Sequence, residues 1–169
     1  MPKKLLLHDL KADLASDLLP DDSDKYMVFP AQPAVHHCIG CFGCWLKTPG
    51  RCLIADRGAD FISLLSRCTE FILLSRMVFG GLSPDIKAIL DRSIGFVSPF
   101  FRDIAGEMHH VRRFDNTPDF RYIFYGASIS RPEQETAQKV AAANSRNLGS
   151  GRFQVLFFPT ARQGAEALP

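Results

Sequence analysis

Five short apolar runs recur along this chain, with room for a helix in each interval: Lys4–Leu7, Tyr26–Phe29, Phe71–Ser75, Phe120–Tyr125 and Phe153–Phe158. They are too short for buried helices, and most are apolar at nearly every position rather than at alternate ones. Strands read this way when both faces are covered, which is the condition of a parallel sheet. The intervals supply the cover. Leu10–Leu19 carries a helical pattern that ends at Pro20-Asp21-Asp22, and Ala59–Leu65 is amphipathic. Pro84 suits the first turn of a helix that Asp85–Ile94 continues. Glu133–Leu148 repeats Ala and Val at i, i+3 and i+4, with Pro132 at its start and Gly149 just past its end. This alternation predicts an α/β fold with an open, five-stranded parallel sheet, order 2-1-3-4-5, and Phe71–Ser75 as a central strand. Ligands of such sheets bind outside the carboxyl ends of the strands, where the order reverses. Pro99–Pro118, polar and rich in His and Arg, reads as an ordered loop or excursion, and Ala161–Pro169 as a loose tail.

Length and charge narrow the class. A chain of 169 residues is expected to form one domain, 1–169, with a core that needs no staples. A net charge of +2, with the basic residues scattered, gives no footing for nucleic acid or a membrane surface. The apolar start Leu5-Leu6-Leu7 ends at once in His8 and Asp9, short of a signal-peptide core, and no segment approaches a membrane span. The expected location is cytoplasmic. An odd cysteine count argues against a disulfide framework.

Four of the five cysteines nevertheless crowd into one loop, as Cys38, Cys41, Cys44 and Cys52. The spacing is C-x2-C-x2-C-x7-C. Four thiolates in a compact run can hold an iron–sulfur cluster. Structural zinc more often uses two separated pairs. The competing reading is a tightly folded loop, with thiols packed inside and Gly40, Gly43 and Gly50 at its bends. His36 and His37 read as exposed loop residues.

Three further segments carry chemistry. Ser75-Arg76-Met77-Val78-Phe79-Gly80-Gly81 leaves the strongest strand and enters a helix, so its amides and the Phe79 ring suit a flat heteroaromatic ligand. Its competitor is an ordinary strand–helix loop. Tyr125-Gly126 ends the next strand, where a tyrosine can stack on a ligand or cap the core. Met108-His109-His110-Val111-Arg112-Arg113 can bind an anion or move a proton, or form a solvated loop against a neighbouring subunit. There is no Ser-His-Asp pattern, no P-loop and no G-x-G-x-x-G.

Taken together, Cys38–Cys52, Asp56, Phe71–Ser75, Val78-Phe79-Gly80, Ser83, Lys87 and Leu90-Asp91-Arg92 resemble the NADPH-dependent FMN reductase family and its iron–sulfur flavoprotein branch. The resemblance implies a three-layer, flavodoxin-like fold and FMN at the carboxyl edge of the sheet. It implies reduction by NAD(P)H, or exchange of electrons with a redox partner protein, and a homo-oligomer. Ser75, Arg76, Met77, Val78, Phe79, Gly80 and Gly81 would lie along the flavin ring, with Tyr125 and Gly126 as the second contact. In the iron–sulfur branch, Cys38, Cys41, Cys44 and Cys52 would hold a 4Fe–4S cluster. The implied function is an FMN-binding, NAD(P)H-dependent oxidoreductase or electron-transfer flavoprotein. The alternative is a flavodoxin-fold protein that has lost flavin and serves as a binding or partner subunit.

One segment departs from that family. Its members cradle the FMN phosphate in a Gly-Ser-Pro-Arg type loop after the first strand. Here the first strand runs into His8-Asp9-Leu10-Lys11-Ala12-Asp13, with no glycine and no hydroxyl until Ser16. Anion sites want the opposite sign from Asp9 and Asp13. The expectation is weak FMN binding, unless Lys11, His8, Arg76 or Arg112-Arg113 restores the charge. Trp45, Phe100, Phe101 and Met108, aromatic or apolar residues in loop segments, predict self-association through the cysteine loop and Arg102–Phe114.

Overall fold

The computed structural model describes residues 3–169. Its main sheet has five strands: β1 (Lys3–His8), β2 (Tyr26–Pro30), β3 (Cys68–Arg76), β6 (Asp119–Tyr125) and β7 (Phe153–Phe158). All neighbours are parallel, in the order β2-β1-β3-β6-β7. Counting the strands of this sheet alone, that is the expected 2-1-3-4-5, with β3 central.

Successive side chains on a strand point to opposite faces, and the burial follows. Leu5, Leu7, Phe71, Leu73, Phe120, Tyr122 and Phe124 enter one core, together with α3 (Phe61–Leu65), α4 (Pro84–Arg92) and α5 (Arg131–Asn147). Leu6, Ile72, Leu74 and Ile123 enter the other, under α1 (Ala12–Leu18) and α6 (Ala161–Glu166). The strands therefore had to be apolar throughout. A short α2 (Gly43–Leu46) lies within the cysteine loop. Helix α5 begins in a capping box, Ser130 with Glu133, which satisfies two otherwise unpaired N–H groups.

Two expectations are revised. The segment Pro99–Pro118 is mostly an antiparallel hairpin, β4 (Val97–Ile104) with β5 (Glu107–Arg112). Its turn places Ala105 at φ 54°, a conformation that alanine seldom marks in a sequence. Its strands stand apart from the main sheet and show no alternation strong enough to reveal them. The tail is not loose either. Ala161–Glu166 forms α6, capped by the Thr160 hydroxyl, which accepts from Gln163 N at 3.3 Å. Gly164 lets this helix sit directly on the sheet, since a Cβ there would stand 3.1 Å from Leu74 Cδ1 and 3.3 Å from Ile123 Cγ2. The Tyr26 hydroxyl donates to the carbonyl of Pro169, and Arg162 pairs with Asp17 of α1. A six-residue helix has little stability of its own, so tertiary packing decides it. No helix among the described residues is long and apolar enough to cross a membrane.

Candidate functional site

The strand order reverses between β1 and β3, and the crevice of such a sheet lies there. Asp9 follows β1, and its carboxylate turns into that position. It accepts from the Arg76 amide at 2.9 and 3.2 Å and from the Tyr125 hydroxyl at 2.8 Å. Burial, then the charge and hydrogen bond of Asp9, push the Tyr125 phenol well above its ordinary range. The neighbouring strand ends are tied as well: Met77 N donates to Tyr125 O at 2.9 Å, and Gly126 N to Phe158 O at 3.0 Å. Ser75 is buried, and its hydroxyl donates to Arg76 O and accepts from Ser83 N, both at 2.9 Å. His8, beneath them, is 2 % exposed. Burial lowers its pKa to about 4, with Asp9 opposing and Arg57 adding. It is therefore a neutral imidazole at pH 7.

Past this edge the chain makes a two-residue turn. Val78 and Gly81 exchange both backbone hydrogen bonds, at 3.1 and 2.9 Å. Phe79 and Gly80 between them sit at φ 49° and 77°. Gly80 is held against α5, where a Cβ would stand 2.8 Å from Thr136 Cβ. That contact and the positive φ both require glycine. Phe79 is 93 % exposed. A large aromatic side chain thus stands almost fully in solvent on a backbone conformation that non-glycine residues avoid.

Phe79, Gly80 and Gly81 also line a cavity of about 620 Å³ that runs between α4 and α5 under the cysteine loop. Its walls include Leu82, Leu90, Val140 and Leu148, and all four clustered cysteines face it. Cys38 and Cys41 are exposed, Cys52 is half-buried and Cys44 is buried. Burial, then the nearby Cys52, Cys38 and Cys41, push the Cys44 thiol above its usual range. Among the described residues, no three metal-ligating side chains gather closely enough for a single metal ion. The fifth cysteine, Cys68, is a core residue whose thiol burial raises to about 12.

Arg92, at the end of α4, holds both arms of the cysteine loop. Its guanidinium donates to His36 O at 3.3 Å ahead of Cys38, and to Ile54 O at 3.0 Å after Cys52. It also pairs with Asp56 at 2.6 Å. Asp56 in turn accepts from His36 N at 3.0 Å and Gly58 N at 2.9 Å. Burial opposes ionisation of Asp56, but the hydrogen bonds from Arg92, His36 and Gly58 outweigh it and bring the pKa to about 2. From the other side, Trp45 Nε1 donates to Ile94 O at 3.2 Å and Val97 O at 2.9 Å.

The expected site residues thus separate into two places. Ser75, Arg76, Met77, Tyr125 and Gly126 lie at the sheet edge and do not line the cavity, whereas Phe79, Gly80, Gly81 and the four cysteines do. Val78 closes the turn that joins them. Arg112 and Arg113 are remote from Asp9: Arg113 donates to Gly95 O at 2.9 Å, and the Arg112 stem packs on Gly149. His109 bridges Asn147 and Glu107, both at 3.1 Å, and His110 stacks on Phe101 at 4.5 Å. The loop function of Arg92 escapes sequence reading, because the residues it joins lie 36 and 56 positions away.

No family model matches the chain. An iron–sulfur flavoprotein from Methanocaldococcus jannaschii is 36 % identical over 70 residues, a match covering 39 % of this chain and 35 % of that protein. The chain thus spans only about a third of that relative. Among solved structures, the fold is similar to an FMN-dependent NADH-azoreductase from Bacillus anthracis in complex with FMN (TM-score 0.63, 11 % identity, 98 % of this chain and 94 % of that one). It is also similar to general stress protein 14 from Treponema denticola in complex with FMN (TM-score 0.59, 10 % identity, 98 % and 94 %). The fold is flavodoxin-like, as the sequence led one to expect.

Proposed function

We propose that this protein is a flavin-binding, NAD(P)H-dependent oxidoreductase or electron-transfer flavoprotein, with the flavin ring against the Met77–Gly81 turn and Tyr125 beside it. The observation that carries the reading is Phe79, an aromatic ring held in solvent on a strained turn at the carboxyl edge of a reversing parallel sheet. Backbone strain of this kind is kept where the surrounding structure enforces it, often at a ligand site, and a flat heteroaromatic ligand gives such a ring a use. The ring of FMN fits this setting; its phosphate does not fit the end of β1, where Asp9 already stands. A bound flavin would accept a hydride from the nicotinamide and pass the electrons on. The chain's own contribution is placement: Val78 and Gly81 set the turn, and Thr136 backs it at Gly80. The test is the purified protein's absorption after incubation with FMN. Flavin bands that bleach anaerobically with NADH or NADPH are expected. A colourless chain that takes up neither FMN nor riboflavin would overturn the reading in favour of a flavin-free partner subunit.

A second cofactor reading rests on the thiols. Cys38, Cys41, Cys44 and Cys52 open on one largely apolar cavity, and four cysteines are the donor set of an iron–sulfur cluster. Arg92 and Asp56 would keep the loop in place around it. Anaerobic purification with iron and acid-labile sulfide analysis decides between a cluster and free thiols.

Self-association belongs to the same reading. Ile39, Phe42 and Leu46 in the cysteine loop and Phe100, Phe101 and Met108 on the hairpin are exposed, as expected of a surface that pairs with a second copy. Sedimentation at micromolar concentration should show an oligomer; a monomer would end the idea.

A further inference from the structure

We infer that Asp9 is a built-in anion occupying the ligand-phosphate position of this fold, so that the site recognises flavin through its ring and not through its phosphate. The inference deepens the flavin reading above and rests on it. Three features of the sheet edge carry it.

The first is occupancy. At the β1/β3 reversal, a ligand anion would need backbone amides and hydroxyls as donors. The Arg76 amide and the Tyr125 hydroxyl are there, and both already donate to the Asp9 carboxylate. The second is the lack of a replacement cradle. Helix α1 has seven residues, begins after Lys11, which offers no side-chain cap, and carries Asp13 in its first turn. The third is charge. His8 is buried and neutral at pH 7. Arg57 donates to the carbonyl of Pro30 and lies over the Phe29 ring at 4.5 Å. Arg113 is held at Gly95 O. Lys11 and the Arg76 side chain are exposed, and long exposed cations are screened by water and salt. A phosphate brought to this edge would therefore meet a fixed carboxylate and find its donors engaged.

The Phe79 side of the ring site stands clear of this arrangement, while Tyr125 is shared by both. Phe79 and the Val78–Gly81 turn do not contact Asp9 through any hydrogen bond among the described residues. Ring recognition at Phe79 and phosphate exclusion at Asp9 are thus separable, and Asp9→Asn, which keeps an acceptor for Tyr125, changes the second without the first.

The experiment titrates apo-protein with riboflavin and with FMN, following flavin fluorescence. In the unaltered protein the two dissociation constants should agree within about threefold, because the phosphate finds no free donor. Raising the ionic strength from about 0.01 M to about 1 M shortens the Debye length from roughly 30 Å to 3 Å. FMN binding should strengthen over that range, while riboflavin binding stays level. Asp9→Asn keeps the shape and the acceptor oxygen but removes the charge. It should improve FMN by about threefold, the whole of the repulsion relieved, and leave riboflavin unchanged. FMN at least about tenfold tighter than riboflavin in the unaltered protein, or FMN binding that weakens with salt, overturns the inference while the flavin reading stands. Equal gains for both flavins in Asp9→Asn also overturn it. Binding of neither flavin removes both readings together. The salt series uses unaltered protein, so the inference is tested even where Asp9→Asn fails to fold.

Discussion

The sheet edge and the cysteine groove lie on the same molecule but are built on opposite terms. At the edge, Asp9, Ser75, Arg76 N, Met77 N and Tyr125 all find partners within the chain. In the groove, four thiols face about 620 Å³ of largely apolar space, and Phe79 stands at its rim in solvent. An edge whose hydrogen bonds are already made has little to offer a polar ligand group. A groove with open walls and unassigned donors does. The fold's usual ligand position is thus the more self-sufficient of the two, and the chain's unassigned chemistry has collected beside it.

The largest effect that can sharpen this contrast is at the base of the groove. Arg92→Met removes the partner of Asp56 and the donor to both loop arms. Breaking such a pair while leaving its mate partly buried costs about 3 kcal/mol or more. Urea denaturation should show that loss, and native alkylation of Cys44 should speed up. Unchanged stability together with unchanged thiol reactivity would mean that the loop holds itself.

Next comes His8, which tests how sealed the edge is. Its folded pKa of about 4 lies below the free value of 6.5, so between these pH values the unfolded chain binds the extra proton. Stability from this group is complete above pH 6.5 and is lost as pH falls toward 4, by about 3 kcal/mol in all. Asp56, with a folded pKa of about 2 against 3.8, adds its own loss only below pH 3.8. A denaturation series from pH 7 to about 4 should show the first step, and His8→Leu should flatten it. A level profile in the unaltered protein would mean that water reaches the imidazole.

The turn between the two regions gives the smallest stability effects and the clearest separation of roles. Gly80→Val forces a branched side chain onto φ 77° and into Thr136, and should cost about 1–3 kcal/mol. Lost flavin binding in that variant would therefore have an internal cause. Phe79→Ala is the cleaner probe: the side chain is exposed, so stability should change by less than about 0.5 kcal/mol. Flavin affinity should nevertheless fall. Unchanged affinity in Phe79→Ala would take the ring off this turn.

The strands of the main sheet were legible because burial on both faces demands nearly unbroken apolar runs, and Phe71–Ser75 shows it best. Helix α5 was legible because Pro132, the Ala and Val spacing and Gly149 are local signals. The hairpin was not, since its strands lie outside the main sheet and its turn sets an alanine at positive φ. Nor was α6, whose stability comes from Gly164 resting on Leu74 and Ile123. For the site, the sequence displayed the cysteine spacing, the Ser75–Gly81 turn and the acidic residue after the first strand, because each is a feature of neighbouring residues. It could not display that Asp9 reaches Arg76 and Tyr125, 67 and 116 positions on. It could not display Arg92 closing the cysteine loop, or that loop meeting Phe79 across a groove. Contacts between distant segments follow from how the helices and loops pack against the sheet, and local pattern carries no record of that packing.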